Sequence, residues 1–227
     1  MMTLTDIKRL DPTGMYDWIR NFPEQIEDAV RIGTSTPLNL RTNGIQNVVV
    51  TGLGGSAIGG DLLRSYLANE LDLPFIVNRH YRLPEFVGTK SLVIVSSYSG
   101  NTEETIAAHA DAAKRKARVL CMTTNGETMK MAKKFKHPVI EIPKGLSPRA
   151  ALGYSFFPLL VAFSRLGLIK NRTNHIAETV KLLRAESSVL SNPESPDNTA
   201  LQLATTLQGK LPIIYAPTEH LDAVAVR

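Results

Sequence analysis

Between Asn47 and Pro143, short β-branched and aliphatic runs alternate with longer segments of helical spacing, and this alternation narrows the possible folds more than any other feature of the sequence. The runs are Val48–Thr51, Phe75–Asn78, Leu92–Ser97, Arg118–Thr123 and Val139–Ile142. Helical spacing occupies Ala57–Asn69, Thr102–Lys116 and Thr128–Phe135. Leu92-Val93-Ile94-Val95 has no polar alternation, so a strand there must be covered on both faces, as in a parallel sheet. Strands separated by helices predict a doubly wound α/β unit with a parallel five-stranded sheet.

The flanks are helical. Met15–Arg31 carries Trp18, Ile19, Phe22, Ile26 and Val30 as its apolar set. Ala151–Leu168 is apolar nearly all round, which predicts a buried helix, and Asn174–Leu190 predicts another. A Pro/Ser/Asn segment, Ser191 to Asn198, reads as a linker. Thr199–Gln208 then reads as a helix and Leu211–Tyr215 as a strand, the opening of a second α/β unit. One helix and one strand cannot bury a core, so the chain reads as cut short at Arg227. The expected organisation is a helical segment at 1–43, a first α/β unit at 44–148, linker helices at 149–190 and an incomplete second unit at 199–227.

Charge and composition exclude several functions. The net charge is +5, and the tightest basic group, Lys133, Lys134 and Lys136, is too short for a nucleic-acid surface. A mild positive field suits a small anionic substrate. Cys121 is the only cysteine, so neither a disulfide nor a zinc-ligand spacing is expected, and its apolar neighbours make it a core filler. Ala150 to Phe163, the most apolar stretch, is shorter than the roughly 20 residues that a membrane span requires. With no leader-like start, a cytoplasmic protein without membrane partners is expected.

The loops after the strands carry the chemistry. The first reads Thr51-Gly52-Leu53-Gly54-Gly55-Ser56-Ala57-Ile58-Gly59-Gly60-Asp61, in which glycines let a ligand approach the main chain. The following helix supplies free N–H groups and a positive dipole end. Gly52, Gly54 and Ala57 also fit the loose dinucleotide pattern, which leaves an NAD(P)-dependent oxidoreductase as an alternative. Against it, the second strand ends in Asn78-Arg79 with no ribose-binding carboxylate, although Arg79 could meet a 2′-phosphate.

Ser97-Tyr98-Ser99-Gly100-Asn101-Thr102-Glu103-Glu104 is more specific. Small hydroxyl donors cluster around a glycine between a strand and a helix, as a phosphate monoester requires, and no P-loop lysine accompanies them. Asn101 with Glu104 reads as a capping box for the helix that follows. Further on, Ser147-Pro148-Arg149 places a cation at a helix start, where the dipole opposes it, so Arg149 is expected to serve a ligand.

These blocks, in this order, resemble the bifunctional phosphoglucose/phosphomannose isomerases, a family with two SIS (sugar isomerase) domains of flavodoxin-like fold. Asn21-Phe22-Pro23-Glu24-Gln25, Ala150-Ala151-Leu152-Gly153 and Gly209-Lys210-Leu211-Pro212-Ile213-Ile214-Tyr215 extend the resemblance over nearly the whole chain. The resemblance implies that Gly55, Ser56, Ser97, Ser99 and Thr102 bind a substrate phosphate, and that Arg149 stabilises a cis-enediol. It implies a homodimer that interconverts fructose 6-phosphate with glucose 6-phosphate or mannose 6-phosphate without metal or cofactor. The family's catalytic glutamate and histidine would fall beyond Arg227, and Glu103, Glu219 and His220 are not assigned those roles. The missing base keeps a second reading open, a non-catalytic sugar-phosphate-binding module or regulator.

Overall fold

The structure, a computed structural model, describes residues 3–218 and 220–227. Three helices lead in: α1 (Leu4–Leu10), α2 (Met15–Arg20) and α3 (Phe22–Ser35). The α/β unit follows as β1 (Asn47–Thr51), α4 (Gly55–Tyr66), β2 (Phe75–Asn78), β3 (Ser91–Ser97), α5 (Glu103–Lys114), β4 (Arg118–Thr123), α6 (Gly126–Phe135) and β5 (Val139–Glu141). After a single 3-10 turn at Pro148–Ala150 come α7 (Leu152–Arg165), α8 (Thr173–Leu190), α9 (Thr199–Leu207) and α10 (Asp222–Val226).

All strand pairs are parallel, in the order β2-β1-β3-β4-β5. Because side chains alternate across a strand, the sheet splits its apolar residues between two layers. Val48, Val50, Leu92, Ile94, Leu120 and Met122 share one core with Ile26 of α3, Leu63 of α4, and Leu159 and Phe163 of α7. Val49, Val93, Val95, Val119 and Cys121 pack on the other side with Ala108 and Ala112 of α5 and Ala132 of α6. The alanines let those two helices lie close to the sheet. Phe163 is fully buried, and truncating such a side chain costs about 3–5 kcal/mol.

α7 belongs to this body. Pro158 lies inside it, and a Cβ built on Gly33 of α3 would sit 3.0 Å from the Pro158 Cα. The two helices therefore cross at near backbone contact, and a side chain at position 33 would push them apart.

The five strands form where the alternation predicts them, and the sheet is the expected doubly wound one. Three local expectations differ. Met15–Arg31 is two helices, broken at Asn21, because Pro23 fits only the first turn of a new helix. α1, which the pattern did not predict, starts on a capping box between Thr3 and Asp6. Leu211–Tyr215 is not a strand: it is irregular, with Leu211 at 88% and Tyr215 at 89% exposure. A β-branched run gains little as an extended segment without a hydrogen-bonded neighbour, and among the described residues this run has none.

Candidate functional site

In the order 2-1-3-4-5 the chain leaves β1 in one direction and β3 in the other, so a crevice opens beyond their carboxyl ends. Both sequence-predicted turns lie there. The β1 turn runs into α4 through Gly54, whose φ is +54°. Gly52 lets the turns touch: a Cβ at that position would come within 2.8 Å of the Ser96 carbonyl oxygen. Gly59 has a packing role instead, since a Cβ there would lie 2.2 Å from the Ser155 carbonyl oxygen of α7.

Hydrogen bonds stitch the two turns together. The Tyr98 N–H donates to Ser56 Oγ at 2.9 Å, and Ser96 Oγ donates to the Ser56 carbonyl at 3.1 Å. Within the β3 turn, Gly100 N–H donates to Ser97 Oγ at 3.1 Å and Asn101 N–H donates to Ser99 Oγ at 3.2 Å. Ser97 Oγ in turn donates to Thr102 Oγ1 at 3.3 Å. A hydroxyl has one proton and two lone pairs. In this pattern Ser56, Ser99 and Thr102 spend lone pairs on protein donors. Their own protons have no acceptor among the described residues, so all three remain competent to donate to an anion. Ser99 is exposed, Ser56 and Thr102 are half-buried, and Ser97 is buried as the innermost support.

The Asn101–Glu104 capping box does not form. Thr102 occupies the N-cap of α5 without a side-chain cap bond, and Asn101 Oδ1 instead accepts from the Glu127 N–H of α6 at 3.0 Å. A cap across 26 positions leaves no local signal in the sequence. Gly100 is committed to the same junction: its φ is +71°, and a Cβ would lie 1.7 Å from the Asn125 carbonyl oxygen.

Beside the β1 turn is a cavity of about 450 Å³ lined by Gly54, Gly55, Arg79, Ser147, Arg149 and Arg227, among others. Gly55 and Arg149 therefore meet in one hollow, whereas Ser56, Ser97, Ser99 and Thr102 lie outside its lining. Arg79 is ion-paired with Asp61 of α4, a role that accounts for both residues and engages the arginine offered for a 2′-phosphate. Arg149 and Arg227 form no salt bridge among the described residues. Burial, and then the charge of Arg149, make the protonated guanidinium of Arg227 less favourable than in water. Two like charges facing one cavity favour an anionic occupant.

Two residues that sequence reasoning missed hold this arrangement. Tyr98 reaches across the crevice: its hydroxyl accepts from the Leu146 N–H at 3.0 Å, and burial raises its pKa. It thus connects the β3 turn, the β1 turn and the segment that carries Arg149. Gln25 of α3 donates from Nε2 to the Ala150 carbonyl at 2.8 Å and accepts the Gly153 N–H through Oε1 at 2.7 Å. It is buried and ties the end of the 3-10 turn to the start of α7, although Arg149 itself is exposed. Of the residues not assigned catalytic roles, Glu219 lies outside the described residues and Glu103 is within 3.4 Å of the Tyr81 hydroxyl.

Over 215 residues, 94% of its length, the chain is 47% identical to the bifunctional phosphoglucose/phosphomannose isomerase of Caldicellulosiruptor bescii, of which it covers 63%. This chain is a relative of the bifunctional phosphoglucose/phosphomannose isomerases. It is also 33% identical to the Aquifex aeolicus protein of that name, over 78% of this chain and 52% of the relative. The chain thus spans between half and two-thirds of the length of these curated relatives. Among solved structures, a hypothetical protein from Thermus thermophilus superposes with a TM-score of 0.61 at 22% identity, covering 89% of this chain and 50% of that one, which supports the fold. No protein-family model matches the chain. Among the described residues, no helix is long and apolar enough to cross a membrane.

Proposed function

We propose that this chain supplies the phosphate-binding half of an aldose–ketose isomerase acting on fructose 6-phosphate, glucose 6-phosphate and mannose 6-phosphate, in a cytoplasmic homodimer. The observation that carries the reading is the pair of hydrogen-bonded turns at the β1/β3 switch point, with three hydroxyl protons that have no acceptor among the described residues. Ser56, Ser99 and Thr102 donate to the phosphate oxygens, Ser97 braces Thr102, and the Gly55 main chain permits close approach. Arg149 and Arg227 offset the substrate's negative charge. As a proton leaves the carbon beside the carbonyl, Arg149 stabilises the enediolate oxygen, the step at which electrostatic help counts most. Among the described residues, the cavity lining contains no carboxylate or imidazole to act as base. In this proposal the base comes from the part of the relatives' length that the chain does not span.

The test is calorimetric titration with fructose 6-phosphate, fructose and inorganic phosphate, beside a turnover assay on the chain and on a form extended to its relatives' length. Binding of the sugar phosphate in preference to fructose, with turnover in the extended form, is expected. Binding in both forms with turnover in neither would replace the isomerase with a sugar-phosphate sensor, the reading that the base-free lining favours. No binding in either form would remove both.

A further inference from the structure

On the face of the sheet opposite α3 and α7, three ligand-type side chains from separate elements converge. His109 projects from α5, Cys121 from β4 and His137 from the segment between α6 and β5. His109 Nε2 lies 3.0 Å from His137 Nδ1 and 3.6 Å from Cys121 Sγ, and all three ligand atoms are within 4.8 Å of one another. A tetrahedral zinc ion, about 2.0–2.1 Å from nitrogen and about 2.3 Å from sulfur, holds two nitrogens about 3.3 Å apart and nitrogen and sulfur about 3.6 Å apart. We propose that His109, Cys121 and His137 bind a thiophilic divalent cation, Zn²⁺ in the first instance, as a structural staple joining α5, β4 and the segment between α6 and β5.

The alternative is a histidine pair resting on a thiol in an otherwise apolar layer. Packing alone does not explain why three ligating side chains, 28 positions apart at the extremes, should turn their coordinating atoms toward one point. Burial lowers the His109 pKa to about 4 and also lowers that of His137, so both imidazoles are neutral and able to ligate. Burial raises Cys121 to about 12, so the thiol stays protonated until a cation compensates the thiolate. Binding breaks the S–H bond, forms an S–metal bond and releases that proton to solvent. Both imidazoles coordinate through lone pairs and keep their remaining protons, on His109 Nδ1 and His137 Nε2. His109 and Cys121 are buried and His137 is half-buried, which gives the ion a route in from His137. The site is separate from the arginine-lined cavity, so the proposal stands independently of the isomerase reading.

The experiment treats the full chain with chelator, adds Zn²⁺ or Co²⁺, and measures metal retained after gel filtration, the melting temperature and the Co²⁺ spectrum. Expected are one equivalent of zinc, a rise in melting temperature of about 5 °C or more, and a thiolate-to-cobalt charge-transfer band. His137→Gln, at the accessible ligand, should weaken metal binding by about 100-fold or more. Cys121→Ser should abolish the charge-transfer band; if that variant does not fold, His137→Gln decides. Sub-stoichiometric zinc with no thermal shift, or equal retention by wild type and His137→Gln, would overturn the proposal.

Discussion

Strand β3 and the stretch after α9 are built from similar material and end in opposite states. Ser91–Ser97 is buried at every position, hydrogen-bonded to β1 on one side and β4 on the other. Leu211-Pro212-Ile213-Ile214-Tyr215, equally rich in strand-forming residues, lies in water, with Ile213 at 69% and Ile214 at 72% exposure. The contrast shows that a β-branched run specifies a strand only when the chain also supplies its neighbours. The ordered turns of the candidate site depend on the same condition, because Ser97 and Thr51 end strands that are already locked in a sheet.

Several substitutions can break or sharpen this contrast. Gly100→Ala should have the largest effect, because it adds backbone strain at φ +71° to a collision with Asn125. Denaturant unfolding should show a loss of roughly 4 kcal/mol or more. Gly209 shares that φ in the exposed region but has no atom within 4 Å of an added Cβ, so Gly209→Ala should cost only about 1–2 kcal/mol. Equal losses at the two glycines would erase the distinction between the regions.

Gln25→Ala should destabilise by roughly 2–4 kcal/mol in the same measurement, since it strands the buried Ala150 carbonyl and Gly153 N–H. It should also weaken sugar-phosphate binding, because Arg149 loses its clamp. Ser99→Ala should leave stability nearly unchanged and Thr102→Val should cost about 1 kcal/mol, since it removes the acceptor of the Ser97 hydroxyl; both should raise the Kd for fructose 6-phosphate tenfold or more, as expected from about 1.5–3 kcal/mol per charge-assisted hydrogen bond. An unchanged Kd in both would take these hydroxyls out of the site. The smallest effect is expected of Ile214→Lys, within about 0.5 kcal/mol. A large loss there would show the run packed against something in solution.

What the sequence disclosed follows the range of the interactions. The β-strands of the sheet were legible because apolar runs, intervening helices and loop glycines are local signals. The two hydroxyl-rich turns of the candidate site were legible for the same reason, since hydroxyls and glycines sit side by side in them. The break at Asn21 was encoded in Pro23 but masked by a continuous apolar stripe from Trp18 to Val30. The work of Tyr98 and Gln25 was hidden, because their partners lie 42 to 128 positions away. The convergence of His109, Cys121 and His137 was hidden too: no ligand spacing in the sequence announces three residues that only the sheet and its helices bring together.

The bond from Asn101 to Glu127 has a consequence for communication within the molecule. One residue of the β3 turn also closes the open end of the neighbouring helix, so the turn cannot be remodelled without exposing that helix to fraying. An anion that steadies the turn would thereby slow amide exchange at Glu127, and a lesion at the start of α6 would be felt as a looser grip in the crevice.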